Sequence, residues 1–373
     1  MTFFPQTNMS QALRTDLKVI ISEQTDPYEN LALEKFLLEN TSSGEVFLYL
    51  WQNERTVVCG RNQNIWKECK ADKLLKDGGF PARRLSGGGC VYHDLGNLNF
   101  TFLCSEKDYD LEKQLSVIIR AVSYSGIEAQ RSGRNDITIN GAKFSGNAFY
   151  KSNPNNFPDK RARMYHHGTL MVDVNRNVLS DYLNVDKEKY VSKGVDSVKS
   201  RVCNLKDFVP ALSVVKLAKD LIRAFGEIYG SACPVFAYKG LKGEKSAAGL
   251  LKGMDPDMKE LQLTKVQLSY IRETAEFFGS REWLYKNNIK FNVRFHHRFD
   301  LGDLDLRLYV DKGKIIDTAL FSDAMDQEEI LRLSSRLESL KGKDYSLAII
   351  EKAIGNQRIS GLLLDPDPER NPA

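Results

Sequence analysis

The pair Asn140-Gly141 stands between two short runs of strand-forming residues, Asp136 to Asn140 and Lys143 to Phe149. A type I′ turn needs positive φ at both central positions, and Asn followed by Gly reaches that conformation at least cost. The pair therefore predicts a tight antiparallel hairpin, and the rest of the chain must supply a sheet around it. Lys143 falls just past the turn on a rigid strand, alternating on one face with Ser145 and Asn147.

Further strands read from Leu17 to Ile21, Val46 to Trp51, Thr56 to Cys59 and Asn97 to Phe102, the last with strict alternation. Asp26 as N-cap, Pro27 at the first helical position and Glu29 as a capping-box partner start a helix carrying Leu33, Phe36 and Leu37 on one face. Leu212 to Tyr229 repeats apolar residues at helical spacing, and a further helix is expected over about Lys259 to Phe278. From Ile289 short alternating strands follow, around Phe291 to Phe295, Leu304 to Val310 and Ile315 to Phe321. Helices over Gln327 to Leu340 and Tyr345 to Ala353 come next. Asn153 to Arg163, polar and basic with two prolines, reads as a mobile loop, and the proline-bearing tail after Leu364 reads as disordered.

The chain has 373 residues, more than one core comfortably holds. The pattern predicts one large domain over residues 1–288, including the connecting helix at about 259–278, and a second, smaller domain with its own sheet and helices over 289–373. A formal net charge of +4 argues against a dedicated nucleic-acid binder. No apolar run is long enough to span a bilayer, so no membrane role is expected, and Met1 to Arg14 lacks the apolar stretch of a secretory signal. The six cysteines form no C-x-x-C pair, and most sit in apolar runs. They read as buried thiols in a reducing, cytoplasmic compartment.

Four segments carry chemistry. Arg83-Arg84-Leu85-Ser86-Gly87-Gly88-Gly89-Cys90-Val91-Tyr92-His93-Asp94 joins paired cations to a glycine loop whose N–H groups can face an anion. It is neither a P-loop nor a dinucleotide fingerprint, since no Gly-Lys-Ser/Thr follows and the glycines open a strand. Arg84 beside the loop is suited to bidentate contact with phosphate. Alone, the segment reads equally well as a basic turn. The second segment joins Gly133-Arg134-Asn135-Asp136 to Lys143, Ser145 and Gly146; alone, Lys143 reads as a surface lysine. The third, Tyr165-His166-His167-Gly168-Thr169-Leu170, puts adjacent histidines on opposite faces of a strand. They cannot easily share a metal, and a structural role is preferred. The fourth runs from Ser197 to Leu205 behind Lys187, Lys189 and Lys193, and suits an acidic partner or a solvated basic face.

In order and spacing, R-R-x-S-G-G-G-x-V-Y-H-D, G-R-N-D-I with N-G-x-K-x-S-G-N-A, H-H-G-T-L and S-V-x-S-R-V-x-N-L resemble the bacterial lipoate–protein ligases. Gly60-Arg61-Asn62-Gln63-Asn64 and Trp66-Lys67-Glu68-Cys69 extend the likeness from about Leu17 to Leu205, and more weakly beyond. The resemblance implies the α+β fold of the biotin and lipoate ligases, a mixed sheet packed with helices, with a small α+β accessory domain at the C-terminal end. It implies attack of lipoate on the α-phosphate of ATP with Mg²⁺, then transfer from lipoyl-AMP to a lysine of a lipoyl domain of 2-oxoacid dehydrogenase complexes or of glycine-cleavage protein H. It implies a catalytic Lys143 touching both carboxylate and α-phosphate, and an ATP site at Arg84, Gly89, Cys90, Val91, Tyr92 and Lys143. Lipoate is expected at Lys143, Ser86, Gly87, Gly88 and His93, in a greasy slot near Trp51 and Phe100. Asn135, Asp136, Ser145, Gly146 and His167 are secondary candidates, and no fixed metal site is expected. The basic segment Tyr150 to Tyr165 is longer than the family pattern.

Two readings compete. A cysteine-dependent octanoyl transferase of the same fold needs an activated thiol near the lysine, yet no Cys stands between Cys104 and Cys203. A non-catalytic lipoate-binding protein would have no need to keep both Arg84 and Lys143.

Overall fold

A nine-stranded mixed sheet organises the computed structural model, which describes residues 15–133, 135–184, 202–241, 250–254, 258–286, 289–299 and 301–364. Its strands are β1 (Asp16–Ser22), β2 (Glu45–Trp51), β6 (Asn97–Ser105), β7 (Gln130–Ser132), β8 (Asp136–Ile139), β9 (Ala142–Lys151), β10 (Arg163–Met171), β11 (Val235–Tyr238) and β12 (Lys259–Glu260). Their spatial order is β12-β11-β1-β2-β6-β10-β9-β8-β7. Parallel pairing of β1 with β2 and β11 gives way to antiparallel pairing from β2 outward. A separate three-stranded sheet, β4 (Phe80–Arg83), β3 (Thr56–Cys59) and β5 (Cys90–His93), lies beside it.

Alternation sends each strand's side chains to two different cores. Val46, Leu48 and Leu50 of β2, with Leu98, Phe100 and Phe102 of β6, pack under helices Leu111–Ser123 and Val214–Tyr229. Phe47, Tyr49 and Trp51 point the other way, to helices Pro27–Glu39 and Lys265–Gly279. Burying one such large apolar side chain contributes about 1.5–3 kcal/mol, so the two-sided sheet is firmly held. The Asn140-Gly141 turn forms with φ of 50° and 83°, and sets the β8–β9 hairpin.

The C-terminal strands β13 (Val293–Phe299), β14 (Gly302–Asp311) and β15 (Lys314–Ser322) make an antiparallel sheet. Helices Gln327–Glu338, Leu347–Ile354 and Gln357–Leu363 close its own core around Leu306, Leu333 and Ile350. The turn Ser322 to Gln327 meets the N-terminal part: Ser322 N–H donates to Asn62 O at 3.0 Å, and Asn62 Nδ2 to Gln327 Oε1 at 3.2 Å.

Several local expectations are corrected. Asp26 caps its helix through Tyr28 N and Glu29 N, but Glu29 does not close a capping box. Its carboxylate accepts from Tyr238 Oη and Leu241 N instead. The helix expected from Lys259 begins at Lys265, where Thr264 and Gln267 form a capping box, because Lys259 and Glu260 pair with β11. The segment Asn153 to Arg163 is folded down: Phe157 is buried, the Arg163 guanidinium lies 4.8 Å from its ring, and Asp159 pairs with Arg163 at 2.9 Å. Cys59 and Cys90 face each other across β3 and β5 and form a disulfide, whereas six free thiols were expected; Cys69, Cys104, Cys203 and Cys233 are free. The N-terminal fourteen residues, Arg134, Lys187 to Arg201, most of Lys239 to Asp257 and the tail after Leu364 lie outside the described residues.

Candidate active site

One row of neighbouring residues crosses the main sheet. Trp51 of β2 stands opposite Asn99 of β6, and Asn99 opposite Thr169 of β10. Thr169 Oγ1 accepts from Gly146 N of β9 at 3.4 Å. At about 4.8 Å per strand, the row is roughly 14 Å long. All four residues line a cavity of about 210 Å³. Leu31 of the first helix, Val58, Arg84, Gly88 to Val91 and His93 of the small sheet, and Met325 of the C-terminal turn complete its walls.

The cationic end is built at β8 and β9. Lys143 lines the cavity and pairs with Asp136 Oδ1 at 2.7 Å. Gly146 leaves space for it, since a Cβ there would stand 2.8 Å from Lys143 Nζ. The described end of the fourth segment pins this strand from outside, with Cys203 N–H donating to Lys143 O at 2.9 Å. Asn147 is held by the Asn135 carbonyl, to which Asn147 N donates at 2.8 Å.

The glycine loop is clamped by Arg84. Its Nε donates to Ser86 Oγ at 3.0 Å, Nη1 to Val58 O at 2.9 Å, and Nη2 to Gly87 O at 2.7 Å and Gly89 O at 2.9 Å. Burial lowers its pKa to about 10, so the charge remains at neutral pH. The bidentate contact with phosphate expected of Arg84 is not what the guanidinium offers, because loop carbonyls already occupy it. Gly88 has φ of 90°, and a Cβ there would approach Arg84 Nη2 to 2.8 Å. Gly60 N–H donates to Gly89 O, which makes Cys59 and Cys90 the non-bonded pair of the ladder; the Cys90 N–H therefore points away from β3. Arg83, also expected to be cationic at the loop, is spent on the carbonyls of Gly60, Gln63, Trp283 and Leu284.

A buried chain joins the two ends. Trp51 Nε1 donates to Thr101 Oγ1 at 3.1 Å, and Thr101 to Glu34 Oε1 at 2.7 Å. His167 Nδ1 is 2.8 Å from the same Glu34 oxygen, and its Nε2 is 2.7 Å from Ser86 Oγ. His166 points to the opposite face, between Gln114 Oε1 and Asn147 Oδ1, so the two histidines share no metal position. His93 packs edge-on against Trp51 with centroids 6.3 Å apart. Burial, with the nearby Arg84 and His167, lowers its pKa to about 3, leaving a neutral ring.

Of the residues singled out in the sequence, Arg84, Gly88, Gly89, Cys90, Val91, His93, Asn135, Lys143, Gly146 and His167 come together around this cavity. Ser86 and Gly87 stand behind it. Ser86 is fully buried between Arg84 and His167, and Gly87 packs against Gln327 and Ala324. Tyr92 stacks on Tyr182 on the far face of β5, Ser145 is buried beneath β9, and Asp136 supports Lys143. Phe100 faces the other core, and its neighbour Asn99 lines the slot. Leu31, Glu34, Asn99, Thr101 and Met325 were not singled out. The only sequence signal for Asn99 and Thr101 was a polar set alternating with apolar residues in a buried strand.

The model for the lipoyl protein ligase A/B catalytic domain matches residues 26–226, and that for the bacterial lipoate protein ligase C-terminus matches residues 288–364. A lipoate-protein ligase A of Psychrobacter cryohalolentis is 37% identical over 330 residues, 87% of this chain and 88% of that protein. One of Bdellovibrio bacteriovorus is 33% identical over 346 residues, 92% of each. Among solved structures, P. falciparum LipL1 in complex with lipoate superposes with a TM-score of 0.70 at 28% identity, over 92% of this chain and 97% of that one.

Proposed function

The chain belongs to the lipoate–protein ligase family, and on that premise we propose that it joins lipoate to an acceptor lysine in two steps, beginning with adenylation by ATP. The observation that carries the proposal is the slot running from Trp51 to Lys143, with the glycine loop over its cationic end. An acyl chain lies along the row with its apolar end at Trp51 and its carboxylate at Lys143. The lysine draws the carboxylate and the α-phosphate together, and the loop N–H groups take the phosphate charge. A carboxylate oxygen bonds to the α-phosphorus as pyrophosphate leaves. The acceptor's ε-amine then bonds to the acyl carbon, and AMP leaves with the electron pair. Wall residues Leu31, Val58 and Met325 shield the mixed anhydride from water.

Arg84 acts by shaping the loop and by its charge. Asp136 holds the Lys143 ammonium in place until substrates arrive. Magnesium would accompany the triphosphate and would supply charge neutralisation there; among the described residues no group of three or more His, Cys, Asp or Glu could hold a metal ion. The acceptors in this reading are lipoyl domains or glycine-cleavage protein H. Residues 1–288 form the catalytic domain and 289–373 the accessory domain, in the cytoplasm. Among the described residues no helix is long and apolar enough to cross a membrane.

A cysteine acyltransferase is disfavoured by the thiols themselves. Cys90 is bonded to Cys59, and Cys203 is buried, donates to Ala142 O and has its pKa pushed up to about 11 by burial. The test is lipoate-dependent release of pyrophosphate from ATP by the purified chain. Release is expected with lipoate alone as second substrate; no release from the folded protein would sink the adenylation step.

A further inference from the structure

Two buried N–H donors stand unused at the Trp51 end of the slot, where an acyl slot would ordinarily be wholly apolar. Asn53 Oδ1 accepts from Asn30 Nδ2 at 3.1 Å, which turns Asn53 Nδ2 toward His93 Nδ1 at 3.2 Å. His93 Nδ1 is thus the acceptor, and the ring proton sits on Nε2. That atom is buried and has no hydrogen-bond partner. Asn99 repeats the pattern: its Oδ1 accepts from Asn97 Nδ2 at 2.8 Å, and its Nδ2 is buried without a partner. His93 and Asn99 are 3% and 1% exposed, and both line the cavity.

We infer that His93 and Asn99 read the far end of the acyl chain, selecting a carboxylic acid that ends in a hydrogen-bond-accepting sulfur ring over an alkyl acid of equal length. This rests on the functional reading above and adds the basis of its choice of acid. Buried donors without partners are costly, and a ligand that supplies acceptors relieves that cost. A cyclic disulfide offers weak sulfur acceptors and soft contacts to the Trp51 ring. An alkyl end fills the same space but leaves both donors bare, a difference larger than one of shape alone. The register places Asn99 two strands from the strand of Lys143, on the side of Trp51, against which His93 packs, so the pair acts on binding and leaves the reacting carboxylate untouched. His93 and Asn99 are positioning residues for the tail.

The test is calorimetric binding to the full chain of three acids: lipoate, its carbocyclic isostere 5-cyclopentylpentanoate, and octanoate. The isostere keeps the ring and removes the acceptors. Lipoate is expected to bind roughly ten-fold more tightly than either of the others. In His93→Phe and Asn99→Leu that ratio should fall toward one, with unfolding midpoints checking that each variant is folded. If one variant fails to fold, the other and the wild-type ratio carry the test. Lipoate bound no better than its isostere by the wild type, or a lead that persists in a folded variant, overturns the inference and leaves the ligase reading standing. No binding of lipoate at all overturns the reading itself.

Discussion

In the proposed reaction the chemistry converges on Lys143, and its strand is fixed on both sides. The Asn140-Gly141 turn holds one end, and Cys203 N–H holds its carbonyl. Lys143→Ala is expected to lower pyrophosphate release about 10²–10³-fold without shifting the thermal midpoint by more than a degree or two. Near-normal turnover from a folded variant would remove the lysine from its role. Gly88→Val is expected to weaken ATP binding, measured calorimetrically. A β-branched residue is strained at φ of 90° and displaces the Arg84 guanidinium that shapes the loop. Unchanged nucleotide affinity would argue that the loop does not meet the phosphates. At this scale the site was legible where a motif was dense, as in the glycine loop and the Lys143 strand. It was illegible where a single polar residue in a buried strand faced the cavity. Asn99 looks like any other alternation until the register sets it against Trp51, and Arg84 looks like a free cation until its carbonyl partners are seen.

Among the elements, the small sheet has a staple that residue types alone did not reveal. Cys59 and Cys90 are thirty-one positions apart, and only the pairing of β3 with β5 brings them together. Replacing both by alanine is expected to cost about 3–4 kcal/mol of stability from the closed loop of that length, read from denaturant unfolding. Ligase turnover should be largely kept, because side chains alternate on β5 and the Cys90 side chain packs with Tyr92 in the core beneath the small sheet. Loss of turnover in a folded double variant would mean that the staple itself positions the loop. The strands and amphipathic helices with strong periodicity are readable from the sequence; helix Leu111–Ser123, capped by Asp110, is not among the helices expected from it, though its apolar stripe packs under the sheet. Residues 259–264 were read as helix because their polar, flexible composition hides the short edge strand β12, which only β11 selects.

For the whole molecule, two buried imidazoles tie stability to pH. His93 and His166 are held near 3 chiefly by burial, against about 6.5 in an unfolded chain. Between those values the unfolded chain binds more protons, so stability falls as pH drops. From pH 7 to 5.5 the loss should be about 1 kcal/mol for each ring, seen as a lower urea midpoint. A midpoint that stays level would mean that both rings take up a proton in the folded state. The α+β character and the separate C-terminal sheet could be read from the change in pattern near Ile289. The seating of the Ser322 to Gln327 turn over the glycine loop could not, because that contact joins segments more than two hundred residues apart. The central claim is that this molecule activates lipoate with ATP and passes it to a protein lysine. It is tested most directly by incubating the chain with ATP, Mg²⁺, lipoate and an apo lipoyl domain, then weighing the intact proteins. The expected result is one lipoyl group gained by the lipoyl domain, only when ATP is present, with the mass of the chain unchanged. A lipoyl domain of unchanged mass beside a folded chain, or an acyl group bonded to the chain without ATP, would contradict it.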